Sequence, residues 1–458
     1  MSNLGVVILA AGQSKRLKSK ISKVRHELAG RPVVSYPIEI AKKLTKDQIY
    51  VVISPGQSEL ENIIQSLEAK VAIQEKPLGT AHAVMQTEKQ LSSFSGHILI
   101  LCGDVPLIRL ETLQVLVNKT IKNKSSCGVL TFAIPEPGHY GRIVRNGEGK
   151  IIKIVEAKDA SPEELETKEV NSGIYCVEKD WLFETLKNIK ADNHQKEFYL
   201  TDIIEIAIQQ NRHPLAILAD DPHELLGINS RADLAQVASA MRNRINSWHM
   251  ANGVSIIAPD QTYIDYDVKI ENDVTIWPGT FILGKTTIDQ DCVIENGVVI
   301  KNSQLAKNVQ VKSHSVLENC TVGAESLVGP FARLRPETKL GKKVRVGNFV
   351  EIKKSEIQDG SKANHLTYIG DSKIGSQVNV GAGTITCNYD GANKHLTVIE
   401  DDVFVGSDVQ FIAPVKIGKG ATIGAGSTIT EDVPPNTLAL SRSKQTLKKD
   451  WKRPQKKK

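Results

Sequence analysis

Residues 268–300 read VKIENDVTIWPGTFILGKTTIDQDCVIENGVVI, and isoleucine occupies every sixth position from Ile270 onward. The isoleucines are Ile270, Ile276, Ile282, Ile288, Ile294 and Ile300, and the residues two positions before them are Val268, Val274, Thr280, Thr286, Cys292 and Val298. Neither a single α-helix nor an alternating strand has this period. A six-residue period is typical of a coil in which each side is formed by a short strand and a turn. The stretch therefore predicts a parallel β-helix of hexapeptide repeats.

The same period returns near the end of the chain, at Ile399, Val405, Phe411, Ile417, Ile423 and Ile429. Between the two periodic stretches, from Arg333 to His395, insertions break the period. We expect this interrupted segment to project loops from the β-helix, and projecting loops commonly carry function.

One segment of the β-helix, GTFILGKT from Gly279 to Thr286, satisfies the P-loop pattern G-x-x-x-x-G-K-[ST]. A P-loop leaves a strand and opens a helix. Because the six-residue period continues through Ile282 and Ile288, we expect no helix here and interpret the match as a coincidence.

The first half of the chain has a different pattern, in which short apolar runs alternate with helical periodicity. The apolar runs are Val6–Ala11, Ile49–Ile53, Ile98–Cys102 and Val129–Ile134, and the helical patterns include Ser35–Leu44 and Leu60–Leu67. Strands that alternate with helices predict an α/β fold with a doubly wound sheet, whose ligands bind at the carboxyl ends of the strands.

An amphipathic pattern separates the two halves. Leu234, Val237, Met241, Ile245 and Trp248 follow one another at spacings of three and four residues, which predicts one helix. We therefore predict four regions: an α/β domain at 1–228, a linker helix at 229–250, the β-helix at 251–440 and a basic tail at 441–458.

Composition restricts the class of protein. The 458 residues are 40% hydrophobic and 24% charged, which is typical of a soluble folded chain. Residues 441–458 contain nine of the 58 Lys and Arg residues and one of the 52 Asp and Glu residues, so the rest of the chain carries a net charge of −2. A basic tail of this kind is usually a solvated end, and we expect no nucleic-acid partner.

The cysteine spacing and the first residues of the sequence predict the cellular compartment. Six cysteines lie far apart without a C-x-x-C pair, which indicates neither a zinc site nor a disulfide framework. The apolar stretch near the first residue is too short for a membrane span and lacks a basic leader. We expect a cytoplasmic protein that does not insert into membranes.

Several loops of the α/β half carry residues suited to phosphate chemistry. LAAGQSKRL, from Leu9 to Leu17, follows a strand and offers backbone N–H groups and two cations to a phosphate. Lys23 follows shortly after, and Asp104 closes another apolar strand. An Asp at a strand end is a natural Mg²⁺ ligand.

Residues 1–228 resemble the sugar-nucleotide pyrophosphorylases through LAAGQSKRL, Ser22-Lys23-Val24, PLGTAHA, CGDVPL, YGRIV, IVEAKDA and VNSGIY. With the β-helix, the whole chain resembles the family of bifunctional N-acetylglucosamine-1-phosphate uridyltransferases and glucosamine-1-phosphate acetyltransferases. The most specific stretches are GPFARLRP (329–336), VGNFVEIKKS (346–355), SKANHLTYIGD (361–371) and VGAGTITCNYDGANKH (380–395).

The resemblance implies a site for UTP and N-acetylglucosamine 1-phosphate in the α/β domain. Its nucleotide- and sugar-binding positions would be Leu9, Ala10, Ala11, Gly12, Lys23, Gln74, Gly79, Thr80, Cys102, Gly103, Asp104, Gly141, Glu156, Asn171 and Asn229. Asp104 and Asn229 would hold Mg²⁺, and Arg16 and Lys23 would be catalytic because they stabilise developing phosphate charge.

The resemblance also implies that the β-helix is left-handed, forms a homotrimer and transfers acetyl from acetyl-CoA to glucosamine 1-phosphate. His365 would be the general base. The amino-sugar phosphate would bind Arg335, Lys353, Tyr368, Asn379 and Asn388, and acetyl-CoA would bind Ala382, Asn388, Tyr389, Ser407, Ala425 and Arg442. The product, UDP-N-acetylglucosamine, would supply peptidoglycan and lipopolysaccharide synthesis.

Two alternatives remain open: a sugar-1-phosphate nucleotidyltransferase whose β-helix only regulates or oligomerises, and a non-catalytic scaffold descended from such enzymes. The segment around His365 favours a second activity over the first, and retention of Asp104, Lys23 and His365 disfavours the second. The chain departs from the family pattern at Ser14 and Lys15, usually Gly and Thr, at Ser22, usually Pro, and at Cys102, usually aromatic.

Overall fold

A computed structural model describes residues 3–12 and 15–456, so Ser14 lies outside the described residues, as does the side chain of Lys15. The chain divides into two compact units, Met1–Met241 and Arg242–Lys458, and each is described by itself. Within the described ranges, no helix has the length and apolar character needed to cross a membrane.

The first unit is an α/β domain. Its strands are β1 (Leu4–Leu9), β2 (Glu27–Leu28), β3 (Arg31–Pro32), β4 (Ile49–Ile53), β5 (Lys70–Ile73), β6 (His97–Cys102), β7 (Cys127–Ala133), β8 (Arg142–Arg145), β9 (Ile151–Val155), β10 (Glu169–Glu178) and β11 (Leu215–Leu218). Its helices are α1 (Ser35–Leu44), α2 (Ser58–Ser66), α3 (Thr80–Met85), α4 (Leu110–Lys122), α5 (Pro162–Leu165), α6 (Lys179–Leu186) and α7 (Asp202–Gln209). Short 3₁₀ turns occur at Lys15–Leu17, Lys23–Arg25 and Pro222–Leu225.

The main sheet has the order β11-β7-β10-β6-β1-β4-β5. Strand β1 pairs in parallel with both β4 and β6, so the carboxyl ends of these three strands meet at one edge. Strand β10 runs antiparallel to its neighbours β6 and β7. The predicted α/β sheet is confirmed, and β10 makes it mixed rather than wholly parallel.

Alternating residues of the central strand face two separate cores. Val6 and Ile8 pack into a cluster that includes the buried faces of α1, α2 and α4. Val7 packs into a second cluster, with the buried faces of α3, α6 and α7. Helices on both faces explain why the strands read as continuous apolar runs, because neither face meets water.

A 21-residue helix, α8 (Arg231–Ala251), contains the boundary between the two units. It confirms the helix expected from the spacing of the apolar residues between Leu234 and Trp248. Val237, Met241 and Ile245 are buried, whereas Trp248 is exposed and does not belong to the buried face.

The second unit is a parallel β-helix of three sheets with 11, 10 and nine strands. The strands are β12 (Ser255–Ile256), β13 (Tyr263–Ile264), β14 (Lys269–Ile270), β15 (Thr275–Ile276), β16 (Phe281–Leu283), β17 (Thr287–Ile288), β18 (Val293–Ile294), β19 (Val299–Lys301), β20 (Gln304–Leu305), β21 (Gln310–Val311), β22 (Val316–Glu318), β23 (Thr321–Val322), β24 (Leu327–Val328), β25 (Arg333–Leu334), β26 (Lys339–Leu340), β27 (Arg345–Asn348), β28 (Glu351–Lys353), β29 (Glu356–Ile357), β30 (Lys362–His365), β31 (Tyr368–Gly370), β32 (Ser372–Ile374), β33 (Asn379–Val380), β34 (Ile385–Cys387), β35 (Thr397–Ile399), β36 (Phe404–Val405), β37 (Gln410–Ile412), β38 (Val415–Ile417), β39 (Thr422–Ile423), β40 (Thr428–Ile429) and β41 (Leu438–Ala439). A 3₁₀ turn lies at Pro259–Gln261.

The periodic isoleucines fill the interior of the coils, where Ile276, Ile282 and Ile294 are fully buried. Each stacks on its equivalent in the next coil, as Ile276 does on Ile294. The GTFILGKT segment forms β16 and leads directly into β17 without a helix, which confirms that its P-loop match is a coincidence.

The expectation that Arg333–His395 projects from the β-helix is wrong for most of that segment. Strands β25 to β34 continue the coils in register, with pairs such as Val346 and Ala363. Val346 and Ala363 are 17 residues apart, whereas three six-residue repeats would separate them by 18. A turn that is one residue shorter still closes the coil, but it shifts the six-residue period of the sequence. The projecting part is the loop 388–396, between β34 and β35, which carries an antiparallel bridge from Tyr389 to Lys394.

Candidate functional site

A cavity of about 700 Å³ lies at the carboxyl edge of the α/β sheet. The predicted site residues that line it are Leu9, Ala10, Ala11, Gly12, Arg16, Lys23, Gln74, Gly79, Thr80, Cys102, Asp104 and Asn229. Buried Gln74 donates from Nε2 to the carbonyl of Gly79 at 3.1 Å and so holds the loop before α3 in place. The edge predicted from strand polarity is therefore where the site residues meet.

Lys23 joins the two proposed metal ligands. Its ammonium forms a short ion pair with Asp104 Oδ2 and donates to Asn229 Oδ1 at 3.1 Å. Asp104 follows the end of β6, and Asn229 precedes α8. The N–H of Ile228 donates to the carbonyl of Asp104 at 3.0 Å, which fixes the two segments side by side.

The donor set beside Lys23 fits Mg²⁺. A carboxylate oxygen and an amide oxygen already face one cation, and oxygen ligands are those that Mg²⁺ prefers. In residues 3–12 and 15–456, no group of three or more His, Cys, Asp or Glu side chains could hold a metal alone. Two protein ligands suit a Mg²⁺ ion that takes its remaining ligands from phosphates and water.

The proposed sugar residues Gly141, Glu156 and Asn171 lie together next to this cavity but do not line it. The N–H of Asn171 donates to the carbonyl of Gly141 at 2.8 Å, and a Cβ on Gly141 would lie 3.6 Å from Glu156 Oε1. Asn171 stands at a register shift of β10, where pairing with β7 is interrupted after Asn171 and resumes at Tyr175. Such bulges commonly redirect a side chain at an active site.

The carboxyl of Glu156 has an unusual acidity. Burial, reinforced by the nearby charges of Asp159 and Asp202, raises the pKa of Glu156 from 4.5 to about 6. Burial and the charges of Glu205 and Asp159 likewise raise the pKa of Asp202 to about 6. Near pH 7 both groups are mostly ionised, and Glu156 can accept hydrogen bonds from a sugar.

Cys102 and Gly103 have structural roles at the end of β6. The Cys102 thiol points to the carbonyl of Gly173 at 3.5 Å, and burial raises the pKa of Cys102 to about 12. The thiol is therefore neutral at physiological pH. Gly103 does not line the cavity, and its N–H donates to the carbonyl of Leu9 at 2.9 Å.

Cationic side chains converge on one outer face of the β-helix. Arg335 Nη1 pairs with Glu351 Oε1 at 2.8 Å. The side chains of Lys353 and Lys394 lie close enough to interact, and this interaction lowers the pKa of Lys353 and raises that of Lys394. Two ammonium groups this close repel one another, and an anionic ligand between them would relieve the repulsion.

Tyr368 and Asn388 belong to the same cluster. The Tyr368 hydroxyl and Asn388 Nδ2 both lie against Gly370, where a Cβ would displace them. Asn388 Nδ2 donates to Asp371 Oδ2 at 2.5 Å. Lys394 and Tyr368 interact electrostatically, which connects this pair with the cations.

His365 ends β30, three positions before Tyr368 begins β31. Its Nδ1 lies 3.1 Å from Asn348 Oδ1. An amide oxygen only accepts, so this contact places the proton on Nδ1 and leaves Nε2 as the basic nitrogen. Among the described side chains, His365 has no hydrogen bond to Lys353, Tyr368 or Asn388. Asn379 lies on β33, which pairs with β30, the strand that ends at His365.

The proposed acetyl-CoA residues form a column over successive coils. Asp408 N–H donates to the Ala382 carbonyl at 2.7 Å, Gly426 N–H to the Ser407 carbonyl at 2.9 Å, and Arg442 Nη1 to the Ala425 carbonyl at 3.0 Å. A Cβ on Gly406 would lie 2.6 Å from the Ala425 nitrogen, so the coils stack closely there. Tyr389 stands apart on the projecting loop, with its hydroxyl donating to the Gly391 carbonyl at 2.6 Å.

Known proteins match both halves. Residues 5–239 match the nucleotidyl transferase family, residues 263–348 the GMPPB C-terminal domain, and residues 396–431 the bacterial transferase hexapeptide (six repeats). The bifunctional protein GlmU of Syntrophotalea carbinolica is 49% identical over 449 residues, with 98% of this chain and 97% of that protein covered. The GlmU of Trichlorobacter lovleyi is 47% identical over 452 residues, with 98% of each chain covered.

The chain belongs to the GlmU family. Both the sheet-edge cavity and the cationic face of the β-helix fall within the span that aligns with the GlmU relatives. The resemblance expected from the motifs is confirmed, and a bifunctional family favours two activities over a nucleotidyltransferase with a merely structural β-helix.

Sequence reasoning missed several residues at both sites of this GlmU-family chain. Lys158, Gln195 and Glu197 line the sheet-edge cavity, and Lys158 Nζ donates to Gln195 Oε1 at 3.0 Å. Lys158 lies within the quoted run IVEAKDA, which identified only Glu156, and Gln195 and Glu197 lie in a loop that contains none of the quoted motifs. Lys394 was missed although it lies within the quoted run VGAGTITCNYDGANKH, because a lysine in a loop has no signature until its partner Lys353 is placed.

Proposed function

We propose that the chain makes UDP-N-acetylglucosamine by acetyl transfer to glucosamine 1-phosphate and then uridylyl transfer to the product. The observation that carries this proposal is that the chain has two separate groups of functional residues. One holds Lys23 between a carboxylate and an amide at the sheet edge, and the other crowds Lys353 against Lys394 on the β-helix.

In uridylyl transfer, a phosphate oxygen of N-acetylglucosamine 1-phosphate attacks the α-phosphorus of UTP, and the bond to the β-phosphate breaks to release pyrophosphate. The attacking oxygen is already anionic, so no general base is needed. Arg16 and Lys23, both at the cavity, would neutralise charge on the transferring and leaving phosphates. Mg²⁺ held by Asp104 and Asn229 would supply further charge neutralisation.

In the same reaction, Gly141, Glu156 and Asn171 would fix the sugar. The half-buried Glu156 carboxylate would accept hydrogen bonds from sugar hydroxyl or amide groups, and Asn171, at the bulge of β10, would contribute its amide to the same subsite. Positioning of the two substrates in line then provides much of the rate enhancement.

In acetyl transfer, the neutral amine of glucosamine 1-phosphate attacks the thioester carbonyl of acetyl-CoA, and the C–S bond breaks to release CoA. His365 Nε2 would take the proton that the amine loses and pass it to the departing thiolate. Arg335, Lys353 and Lys394 would bind the sugar phosphate. The column of Ala382, Ser407, Ala425 and Arg442 would bind acetyl-CoA, with Arg442 beside its phosphates.

We also propose a homotrimer formed through the β-helices. Phe331 stacks between His314 and Phe349, with ring centroids 5.3 and 5.4 Å apart, and Phe349 and Leu366 remain 57% and 63% exposed. An apolar column of this kind supports burial against further copies of the chain. Light scattering at micromolar concentration should give three times the chain mass, and a monomer mass would contradict the proposal. The reactions would take place in the cytoplasm, and their product would supply peptidoglycan and lipopolysaccharide synthesis.

Two single substitutions test the assignment of activities. Asp104→Ala should abolish pyrophosphate release from UTP and leave acetyl transfer unchanged, because it removes one metal ligand. His365→Ala should slow acetyl transfer by about 10²- to 10⁴-fold and leave uridylyl transfer unchanged. Each variant is the folding control for the other. Unchanged uridylyl transfer in the first, or acetyl transfer within a fewfold of wild type in the second, would refute the corresponding assignment.

A further inference from the structure

We propose that Tyr140 is a positioning residue that holds Asn229 in place for metal binding, an inference that rests on the proposed metal site. The segment 227–230 has no regular secondary structure of its own around Asn229. Three groups outside it accept hydrogen bonds from its backbone N–H groups, while Lys23 donates to the Asn229 side chain. Tyr140 is the partner that comes from the sugar side of the site.

The three partners each accept from backbone N–H groups of the segment. Gly227 N–H donates to the Tyr140 hydroxyl at 3.1 Å, and Ile228 N–H donates to the Asp104 carbonyl at 3.0 Å. The N–H groups of Asn229 and Ser230 donate to Asp233 Oδ2 at 3.0 and 2.8 Å. Asp104 and Asp233 therefore hold the middle and end of the segment, and Tyr140 holds its beginning.

Tyr140 is well placed to act as a fixed anchor. Its ring packs edge-on against Phe132, with centroids 5.1 Å apart at 86°. The buried guanidinium of Arg142 donates to the carbonyls of Tyr140 and Gly138, the latter at 3.2 Å, and to the Leu165 carbonyl at 3.4 Å. A buried arginine bonded to three carbonyls makes the loop before β8 rigid, so the hydroxyl is held at a defined position.

The same loop contains the proposed sugar residue Gly141. One hydroxyl therefore links the backbone that contacts the sugar to the backbone that carries a metal ligand. Groups that orient a metal ligand without touching the metal commonly change metal affinity by about 10- to 100-fold when removed. The single neutral hydrogen bond at Tyr140 puts the expected effect at the lower end of that range.

The variant Tyr140→Phe keeps the ring against Phe132 and removes only the acceptor of Gly227. We expect it to bind Mn²⁺ about 10-fold more weakly, measured by electron paramagnetic resonance on the full chain with saturating UDP-N-acetylglucosamine. The Mg²⁺ concentration for half-maximal uridylyl transfer should rise by the same factor. The kcat at saturating Mg²⁺ should stay within about twofold of wild type, since the ligands themselves are intact.

Two further variants make the result decisive. Tyr50→Phe removes a hydroxyl that contacts Gln48 and the carbonyl of Gln90, away from the cavity, and should leave Mn²⁺ affinity unchanged. Asp104→Asn should weaken Mn²⁺ binding more than Tyr140→Phe does. If Asp104→Asn loses Mn²⁺ while Tyr140→Phe binds it like wild type, the role of Tyr140 is refuted and the metal site stands. If Asp104→Asn binds Mn²⁺ like wild type, the metal site itself is refuted, and the inference with it.

Discussion

Glu156→Gln should stabilise the protein while weakening sugar binding. The folded state holds the Glu156 proton with a pKa of about 6, raised mainly by burial from 4.5. At about 1.36 kcal/mol per pKa unit, ionisation of Glu156 costs the folded state up to about 2 kcal/mol near pH 7. Because the group is partly open to solvent, we expect about 1–2 kcal/mol. Glutamine has nearly the same shape and carries no charge, so it removes this cost.

The pH dependence gives the sign of the effect. Since the folded-state pKa of Glu156 exceeds the unfolded value, the folded form holds the proton more tightly. The stability that this provides is full below pH 4.5 and is lost as the pH rises through about 6. The advantage of Glu156→Gln should therefore be largest near pH 7 and vanish below pH 4.5. Urea unfolding of the full chain at both pH values measures it.

Activity supplies the second half of the test. Loss of a charged acceptor for the sugar should raise the KM for N-acetylglucosamine 1-phosphate by about 10-fold or more, since such hydrogen bonds contribute about 1.5–3 kcal/mol. Asp202→Asn is the matched control, because burial raises its pKa similarly and Asp202 is not among the proposed sugar residues. It should stabilise the chain and leave this KM unchanged. A Glu156→Gln protein that is less stable than wild type near pH 7 would refute the reasoning.

Two further predictions concern the second unit. Burial lowers the pKa of His249 from 6.5 to about 4, so the unfolded chain takes up this proton first as pH falls, and stability should drop by about 3 kcal/mol across that interval. His249→Phe should remove this part of the acid dependence in urea unfolding, and an unchanged slope between pH 6.5 and 4 would contradict it. Lys394→Met should raise the KM for glucosamine 1-phosphate by about 10-fold through loss of one phosphate contact and leave uridylyl transfer unchanged. An unchanged KM would exclude Lys394 from the phosphate site.

The sequence predicted best what depends on burial. The six-residue spacing of isoleucines identified the β-helix because that position of each coil faces the interior, where a buried apolar side chain is stabilising, as at Ile276 and Ile294. The apolar runs identified β1, β4 and β6 for the same reason. The edge at which Asp104 lies then followed from strand polarity alone.

Features that depend on how a coil closes, or on contacts between residues far apart in the chain, could not be predicted from the pattern of buried residues. A coil can shorten its turn without losing an interior residue, and this is why Arg333–His395 was wrongly expected to project as a whole. The reversal of β10 leaves no mark in its composition, since β10 lies in the interior of the same sheet as β6 and β7, to which it runs antiparallel. The contact of Lys353 with Lys394 depends on a loop that returns across coils.

The stacking of equivalent interior residues from coil to coil constrains how this half of the chain can evolve in length. Removing one complete coil would leave every remaining isoleucine facing inward, whereas deleting one residue inside a strand would turn the residues after it toward the wrong side. The length of the β-helix can therefore change by whole coils, and its binding surface can change through loops added between strands, such as 388–396. The strands themselves tolerate almost no insertion. The acetyltransferase half should vary among relatives in whole coils and in loops, with an interior that changes only by conservative replacement.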